Sequence, residues 1–542
     1  MQLDRDRDGR PGSRSRWLRR IDVGAVVAWV LGIGTLVLVL VLVYRGTRVE
    51  VTQTGLEDGA VFNALSVAAV DVRIELPSPD DVASAELRFD GELVEEPTVE
   101  GSTIRWRPPE GLEEGDHTLA LSVARVLLSD ARFRWDFTLD VTPPTVEAPV
   151  VAETVAIDQP ATVSGTVERG ASLVAGGRDV EVGDDGQFTL SFPRPPAGPV
   201  VLEAIDAAGN RTTTNVVVPV ALPSMRAVYV TAAAWSSDGL RDRVLQLVDE
   251  RRIDTVVLDL KDESGVVGFD TTVERAAQIG AVTNYYDLED AVATLEQHGA
   301  RVVGRIAAFH DPILAQAAWA AGQTDQVIQA PDNQPYEAPG QFTNFAHPAV
   351  QRYNLDIAID AVNRGVHDIL WDDARQPGDD PSNVLVPGYT GAPSDALVGF
   401  LADAHVELRR RGAFQGVALE GLSADSGDLY AQDVAQMARR ADYLVPELHP
   451  AFWAADYYGV ASPISQPGDL VARALARFAE VARDSGTVLS PSLQDFSARG
   501  SSYGADEVRV QIDAAASAGS TRFVLWDPSV TYTADALAPQ QQ

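Results

Sequence analysis

Trp371-Asp372-Asp373-Ala374-Arg375 closes an apolar run and reads as the end of the fourth of eight strands in a strand–helix series. That series runs from about residue 225 to the C-terminus, with strand ends predicted near Thr231, Lys261, Ala307, Asp373, Gly421, Leu448, Ser492 and Asp527. Helical patterns lie between them. Asp395 to Arg411 is the clearest, with Ser394 as N-cap, apolar residues at helical spacing, three closing arginines and Gly412 as stop. Pro467 to Arg483 and Ala505 to Ala518 behave similarly. Alternating strands and helices in this number predict a closed (β/α)8 TIM barrel over residues 223–542, within an α/β class. An open dinucleotide-binding sheet is disfavoured because no Gly-x-Gly-x-x-Gly follows the first strand. After Asp527 only a short Ala/Pro/Gln tail remains, so the eighth helix is expected to be short or missing.

In such a barrel the C-terminal strand ends converge on one face, where chemistry occurs. Strand four delivers Asp372, Asp373 and Arg375, strand five Glu420, and strand six Glu447 and His449. Strand two offers Asp259, Lys261 and Asp262, strand seven Gln494 and Asp495, and strand eight Trp526 and Asp527. Side chains alternate along a strand, so this set cannot all point inward. Two carboxyls on neighbouring strand ends are what glycoside hydrolysis requires, one as nucleophile or base and one as acid. Any single one of these acids could instead cap a helix or pair with arginine; several strand ends carrying acids together favour a site. Trp371, Phe452, Trp453, Tyr457, Tyr458 and Trp526 offer stacking faces for sugar rings, or ordinary packing.

Other chemistries find less support. The seven histidines are scattered, and His310-Asp311 is the nearest approach to a metal pair, so neither metal nor cofactor is expected. There is no Gly-x-Ser-x-Gly elbow and no Walker loop. The absence of cysteine excludes disulfides, thiolate metal sites and a cysteine nucleophile. A formal net charge of −35 disfavours nucleic acid and anionic lipid as partners on electrostatic grounds, and neutral or cationic partners, uncharged or amino-bearing glycans among them, fit better.

At 542 residues the chain is too long for one domain. Residues 1–20 carry seven Arg against three Asp, and Val23 to Tyr44 is apolar or Gly/Thr throughout. Twenty-two helical residues span roughly 33 Å, enough for a bilayer core. A cleavable signal peptide would have a shorter apolar region followed by small residues, whereas Tyr44-Arg45-Gly46 follows here. The reading is a basic cytoplasmic tail (1–22), a single-pass transmembrane anchor (23–44) and an extracytoplasmic remainder at the cell membrane.

Residues 45–143 alternate as β-strands, most cleanly at Phe133-Arg134-Trp135-Asp136-Phe137-Thr138-Leu139, and predict a β-sandwich that ends before Pro144. Residues 144–222 predict a second one, with Ala161 to Val167 as a strand and Gly183-Asp184-Asp185-Gly186 as a turn. Its closing Asp206-Ala207-Ala208-Gly209-Asn210 resembles the Asp-x-Ala-Gly-Asn turn of bacterial immunoglobulin-like domains. That resemblance implies spacer modules that lift a head group off the membrane.

Residues from about 225 to 535 resemble the glycosyl hydrolase family with an amylase-like TIM barrel. The resemblance rests on Ala227-Val228-Tyr229-Val230-Thr231, on Val257 to Gly265 at strand two and on Arg305-Ile306-Ala307-Ala308-Phe309-His310-Asp311-Pro312. It continues in Trp371-Asp372-Asp373-Ala374-Arg375-Gln376-Pro377, which follows a Phe-Asp-Tyr-Val-Arg-Phe-Pro pattern, then in Asp442 to Pro446 and Leu493 to Phe496. Carried over by position, it implies Asp372 as nucleophile and Glu420 as general acid/base of a retaining mechanism. Asp259, Arg375, Glu447, His449, Trp453, Gln494, Asp495 and Trp526 are then expected to bind substrate. The chain departs from the pattern at Asp373 and Gln376, where aromatics are usual, at Glu447 in place of Met, at His449 in place of Tyr, and at Leu370 in place of the amylase arginine. Two functions follow. One is a membrane-anchored glycoside hydrolase acting on an envelope or extracellular polysaccharide; the other is a non-catalytic barrel that binds such a glycan.

Overall fold

The structure, a computed structural model, describes residues 23–46, 49–125, 129–337, 340–498 and 500–540, and within the helix 23–46 the side chains of 27–38. It divides into two compact units, residues 1–144 with 205–211 and residues 145–204 with 212–542.

In the second unit the eight strands are β1 (Arg226–Val230), β2 (Thr255–Lys261), β3 (Arg301–Ala307), β4 (Asp368–Asp372), β5 (Phe414–Leu419), β6 (Tyr443–Leu448), β7 (Ser492–Gln494) and β8 (Phe523–Trp526). Each pairs in parallel with the next, and β8 pairs with β1 through Arg226↔Phe523 and Val228↔Leu525, so the sheet closes. Strands covered on both faces need apolar residues at both parities, which is why β2 is buried over its whole length. Val228, Val230, Val256, Leu258 and Leu260 pack outward under the helices. Ala227, Tyr229, Val257, Val303, Leu370, Ala418, Val445 and Val524 fill the interior. Each fully buried aliphatic side chain here contributes about 1.5–3 kcal/mol.

The helix between β4 and β5 runs Pro393–Arg411 and ends at Gly412 with φ 83°. Its N-cap is Ala392 rather than Ser394, because Pro393 takes the first helical position, where its fixed φ fits and no N–H is missed. Among the described residues no eighth helix follows β8. A strap with one short 3-10 turn, Ala534–Ala536, takes its place and buries Val530, Ala536 and Leu537.

The same unit holds a three-stranded sheet (Val146–Glu147, Ala161–Val167, Gln187–Phe192) and, but for its end residues Ile205 and Arg211, a four-stranded one (Arg178–Val180, Ser172–Ala175, Val200–Ile205, Arg211–Val216). Ala161, Val163, Leu173, Phe188, Leu202 and Val216 form the apolar core of this region. The first unit has a five-stranded and a four-stranded sheet with one core that includes Val72, Ile74, Leu119, Leu121 and Phe137. It also contains the helix Val23–Gly46, of 24 residues. Among the described residues no helix is long and apolar enough to cross a membrane. The anchor expected at 23–44 extends past them, since the side chains of 23–26 and 39–44 lie outside the described set.

Candidate active site at the barrel mouth

Inward parity at the upper ends of the strands brings Tyr229, Arg305, Asp372, Glu447 and Trp526 around a cavity of about 120 Å³. His449, Phe452 and Ser492 complete its rim. A second cavity of about 240 Å³ adjoins it and is lined by Glu263, His310, Asp373, Arg375, Glu420 and Gln432. Arg305, Asp372, Ala418, Glu447 and Trp526 line both.

Arg305 is the hub. Its Nε donates to Asp372 Oδ2 at 2.6 Å, and its Nη1 donates to Asp259 Oδ1 at 2.8 Å. Both terminal nitrogens also reach Glu263 Oε2, at 3.3 and 3.2 Å. Tyr229 donates to the other oxygen of Asp259 at 2.5 Å. Asp259 is thus buried beneath the cavities and does not line them. Its burial pushes the carboxyl up to about 6, against the opposing pull of Arg305.

Asp372 and Asp373 both face the mouth, although consecutive strand residues should point to opposite sides. The backbone explains it: β4 ends at Asp372, and Asp373 has φ 45°, a left-handed conformation that turns its side chain back. Its own N–H donates to Asp372 Oδ1 at 2.7 Å. A non-glycine residue held there costs about 1–3 kcal/mol and is characteristic of functional sites. Arg375 Nε lies 2.9 Å from Asp373 Oδ1 and 3.0 Å from Glu420 Oε1, so one guanidinium spans the two carboxylates. Burial would raise Asp373, but His310, with Nδ1 at 3.8 Å, and Arg375 outweigh it and hold the carboxyl at about 2. His310 stacks on Phe342 with centroids 4.6 Å apart, and Arg375 lies over the same ring.

The two glutamates behave oppositely to Asp373. Burial pushes Glu420 up; Arg375 pulls it down, and Asp373 and Asp372 push it further up. Burial, then the charges of Asp372, Glu420 and Asp373, drives Glu447 well above the ordinary carboxyl range. His449, fully enclosed, is pushed down to about 3 and is neutral. Its Nε2 is 2.8 Å from Ser492 Oγ and its ring stacks on Trp526 at 4.7 Å. Phe452 stands beside them, 62% exposed.

Of the residues expected from sequence, the structure brings Asp372, Glu420, Arg375, Glu447, His449 and Trp526 together at the cavities. Four lie elsewhere, Asp259 beneath the cavities under Arg305 and Tyr229, and three more farther off. Trp453 covers the backbone of Gly421, where a Cβ would meet its ring at 2.7 Å. Gln494 is buried, accepting from the Ala451 N–H and donating to the Phe496 carbonyl. Asp495 accepts from the Thr533 N–H and hydroxyl and so pins the C-terminal strap. The sequence reading missed Arg305, Tyr229, Glu263 and Ser492. Arg305 had a usable signal, an inward parity shared with Val303 two residues from the strand end. In register it lies opposite Leu370 of β4. Among the described residues no group of three or more His, Asp or Glu side chains is arranged to hold a metal ion.

A mouth with paired carboxyls of opposed acidity, flanked by arginines and aromatic faces, can hold a polyhydroxylated ligand and exchange protons with it. Solved structures similar to the chain include the glycoside hydrolase domain of PgaB (BpsB) from Bordetella bronchiseptica, 16% identical, with 59% of this chain and 100% of that one covered at a TM-score of 0.42. The endo-1,4-beta-D-mannanase of Thermotoga petrophila is 12% identical over 56% and 88% of the two chains, with a TM-score of 0.38. The alpha-galactosidase of Thermus thermophilus is 12% identical over 89% and 91%, with a TM-score of 0.36. No curated protein sequence matches the chain. Residues 227–532, more than half of the chain and the whole of the barrel from β1 past β8, match the family described as "Putative glycosyl hydrolase domain", and the chain belongs to that family.

Proposed function

We propose that this protein is a membrane-anchored, extracytoplasmic glycoside hydrolase acting on an envelope or extracellular polysaccharide. The observation that carries the reading is a pair of carboxyls on one cavity: Asp372, held by Arg305 at 2.6 Å, and Glu420, which burial pushes up. Hydrolysis of a glycosidic bond needs one ionised and one protonated carboxyl at the same bond.

Asp372 is assigned as nucleophile. Arg305 and the Asp373 N–H fix the plane of its carboxylate, leaving lone pairs for the anomeric carbon. Glu420 is assigned as acid/base: it gives its proton to the leaving oxygen, and the resulting carboxylate is stabilised by Arg375 at 3.0 Å. It then takes a proton from the water that cleaves the glycosyl–Asp372 ester, so the product retains its anomeric configuration. The aromatic group of Trp526, His449 and Phe452 provides a stacking face at the rim. Anchoring is supported by the apolar run from Val23 to Tyr44 behind an arginine-rich tail.

The test is reducing-end release by the detergent-solubilised full chain on a panel of bacterial envelope and storage polysaccharides. Asp372→Asn and Glu420→Gln should each abolish release without lowering the melting temperature. Turnover by either variant at the wild-type rate sinks the assignment. Retained binding with no turnover by the wild type moves the function to a glycan-binding barrel. For the anchor, the full chain should sediment with membranes and the chain lacking residues 1–48 should not; equal partition of the two removes it.

A further inference from the structure

The cations of the mouth are unevenly shared. Arg305 takes Asp259, Glu263 and Asp372, and Arg375 takes Asp373 and Glu420. Among the carboxyls of the mouth, the Glu447 side chain alone has no hydrogen-bond or ion-pair partner within the described residues, although it lines both cavities. The elements around it present Tyr229 from β1, Glu263 after β2, Arg305 and His310 on and after β3, and Asp372, Asp373 and Arg375 at β4. Glu420 follows β5, and His449 follows Glu447 itself. Ser492 and Trp526, from β7 and β8, are uncharged. A carboxylate placed there would face four others, with Arg305 already committed elsewhere.

Glu420 and Glu447 therefore differ in kind. Glu420 can lose its proton because Arg375 receives the charge. Glu447 has no such receiver, and a carboxylic acid that keeps its proton is a donor, which a carboxylate is not. We propose that Glu447 is a substrate-binding hydrogen-bond donor, whose carboxyl O–H is given to a sugar oxygen in the space common to the two cavities, while Glu420 alone exchanges protons. The inference rests on the hydrolase reading of this mouth and adds the residue that limits substrate binding at alkaline pH.

The first measurement needs no substrate. Infrared difference spectra of the full chain against Glu447→Gln should show the protonated-carboxyl band of Glu447 at about pH 7, lost only on the alkaline side. A band already lost at about pH 5 overturns the proposal, whether or not a hydrolase substrate has been found. The second measurement uses the polysaccharide that shows Asp372-dependent release. KM of the wild type should rise on the alkaline side, and Glu447→Gln, whose amide remains a donor at every pH, should make KM independent of pH. Glu447→Leu should have a KM about tenfold above that of Glu447→Gln. The alkaline fall in kcat belongs to Glu420 and should persist in both variants. Equal KM values for the Gln and Leu variants, or a kcat profile that shifts with them, overturns the role; absence of release with the band in place overturns the hydrolase reading instead.

Discussion

Arg305 shows how one side chain sets the electrostatics of the whole mouth. Three carboxylates converge on it, and one of them, Asp259, is 1% exposed. Burial still wins at Asp259, whose carboxyl is raised to about 6 from an unfolded value of about 3.9. Between those values the folded protein binds more protons than the unfolded chain, so stability falls as pH rises through the window. The share due to Asp259 is on the order of 2–3 kcal/mol. Asp259→Asn should flatten that part of the profile in denaturant unfolding between about pH 4 and about pH 6. A profile as steep as the wild type's would place the proton elsewhere. This level was only partly legible in the sequence. Asp372, Glu420 and Glu447 could be read because strand-end parity is regular. Asp373 could not, because its left-handed φ breaks that parity, and Arg305 stands two residues below the end of β3, outside the strand-end set.

The elements were more legible than their contacts. All eight observed strand ends fall within two residues of the expected ones, because each closes an apolar run that a barrel strand needs on both faces. What replaces the eighth helix was not visible, since an Ala/Pro/Gln-rich tail carries no periodicity. In the structure the tail is held by long side chains: Arg252 donates to the carbonyls of Ala534 and Leu537 at 2.7 and 2.8 Å, and Arg226 to that of Ala538 at 2.7 Å. Leu537, fully buried, plugs the groove that a helix would otherwise cover. Leu537→Ala should cost about 2–5 kcal/mol of unfolding free energy. A change below about 0.5 kcal/mol, the range of surface substitutions, would mean that the strap does not seal the barrel. The long loops that follow β3 (residues 321–337 and 340–347) and β4 (residues 373–392) are likewise joined. Gln329 and Leu385 exchange both backbone hydrogen bonds, Tyr336 donates to Asp379 at 2.9 Å, and Asn344 donates to the carbonyl of Pro387 at 2.9 Å. Their described residues form one wall beyond β3 and β4.

At the scale of the molecule, the domain between residues 145 and 220 bears on the stability of the barrel. Its residues 145–204 and 212–220 belong to the same compact unit as the barrel. Ile157, Val220 and Leu222 pack against the interior cluster of Met225, Ala227, Phe414 and Tyr443, at the ends of the strands opposite the active mouth. Arg522 donates to the carbonyl of Pro223, and Arg194 donates to that of Arg410, at 2.7 Å for the latter. Removing the domain would therefore uncover the floor of the barrel. Partial burial of three aliphatic side chains is worth about 3–5 kcal/mol, a large share of the 5–15 kcal/mol that holds a typical protein folded. A chain of residues 145–542 should unfold in urea in one transition, with fluorescence and circular dichroism coincident. A chain of residues 223–542 should unfold at a clearly lower midpoint, or aggregate, even though every residue of the mouth is present. Equal midpoints would show that the barrel stands alone and would return the domain to the role of spacer that its sequence suggested. The test also bears on function, because Tyr229 and Arg305 rise from strands whose lower ends rest on that floor, and a loosened floor should lower activity without touching a single residue of the site.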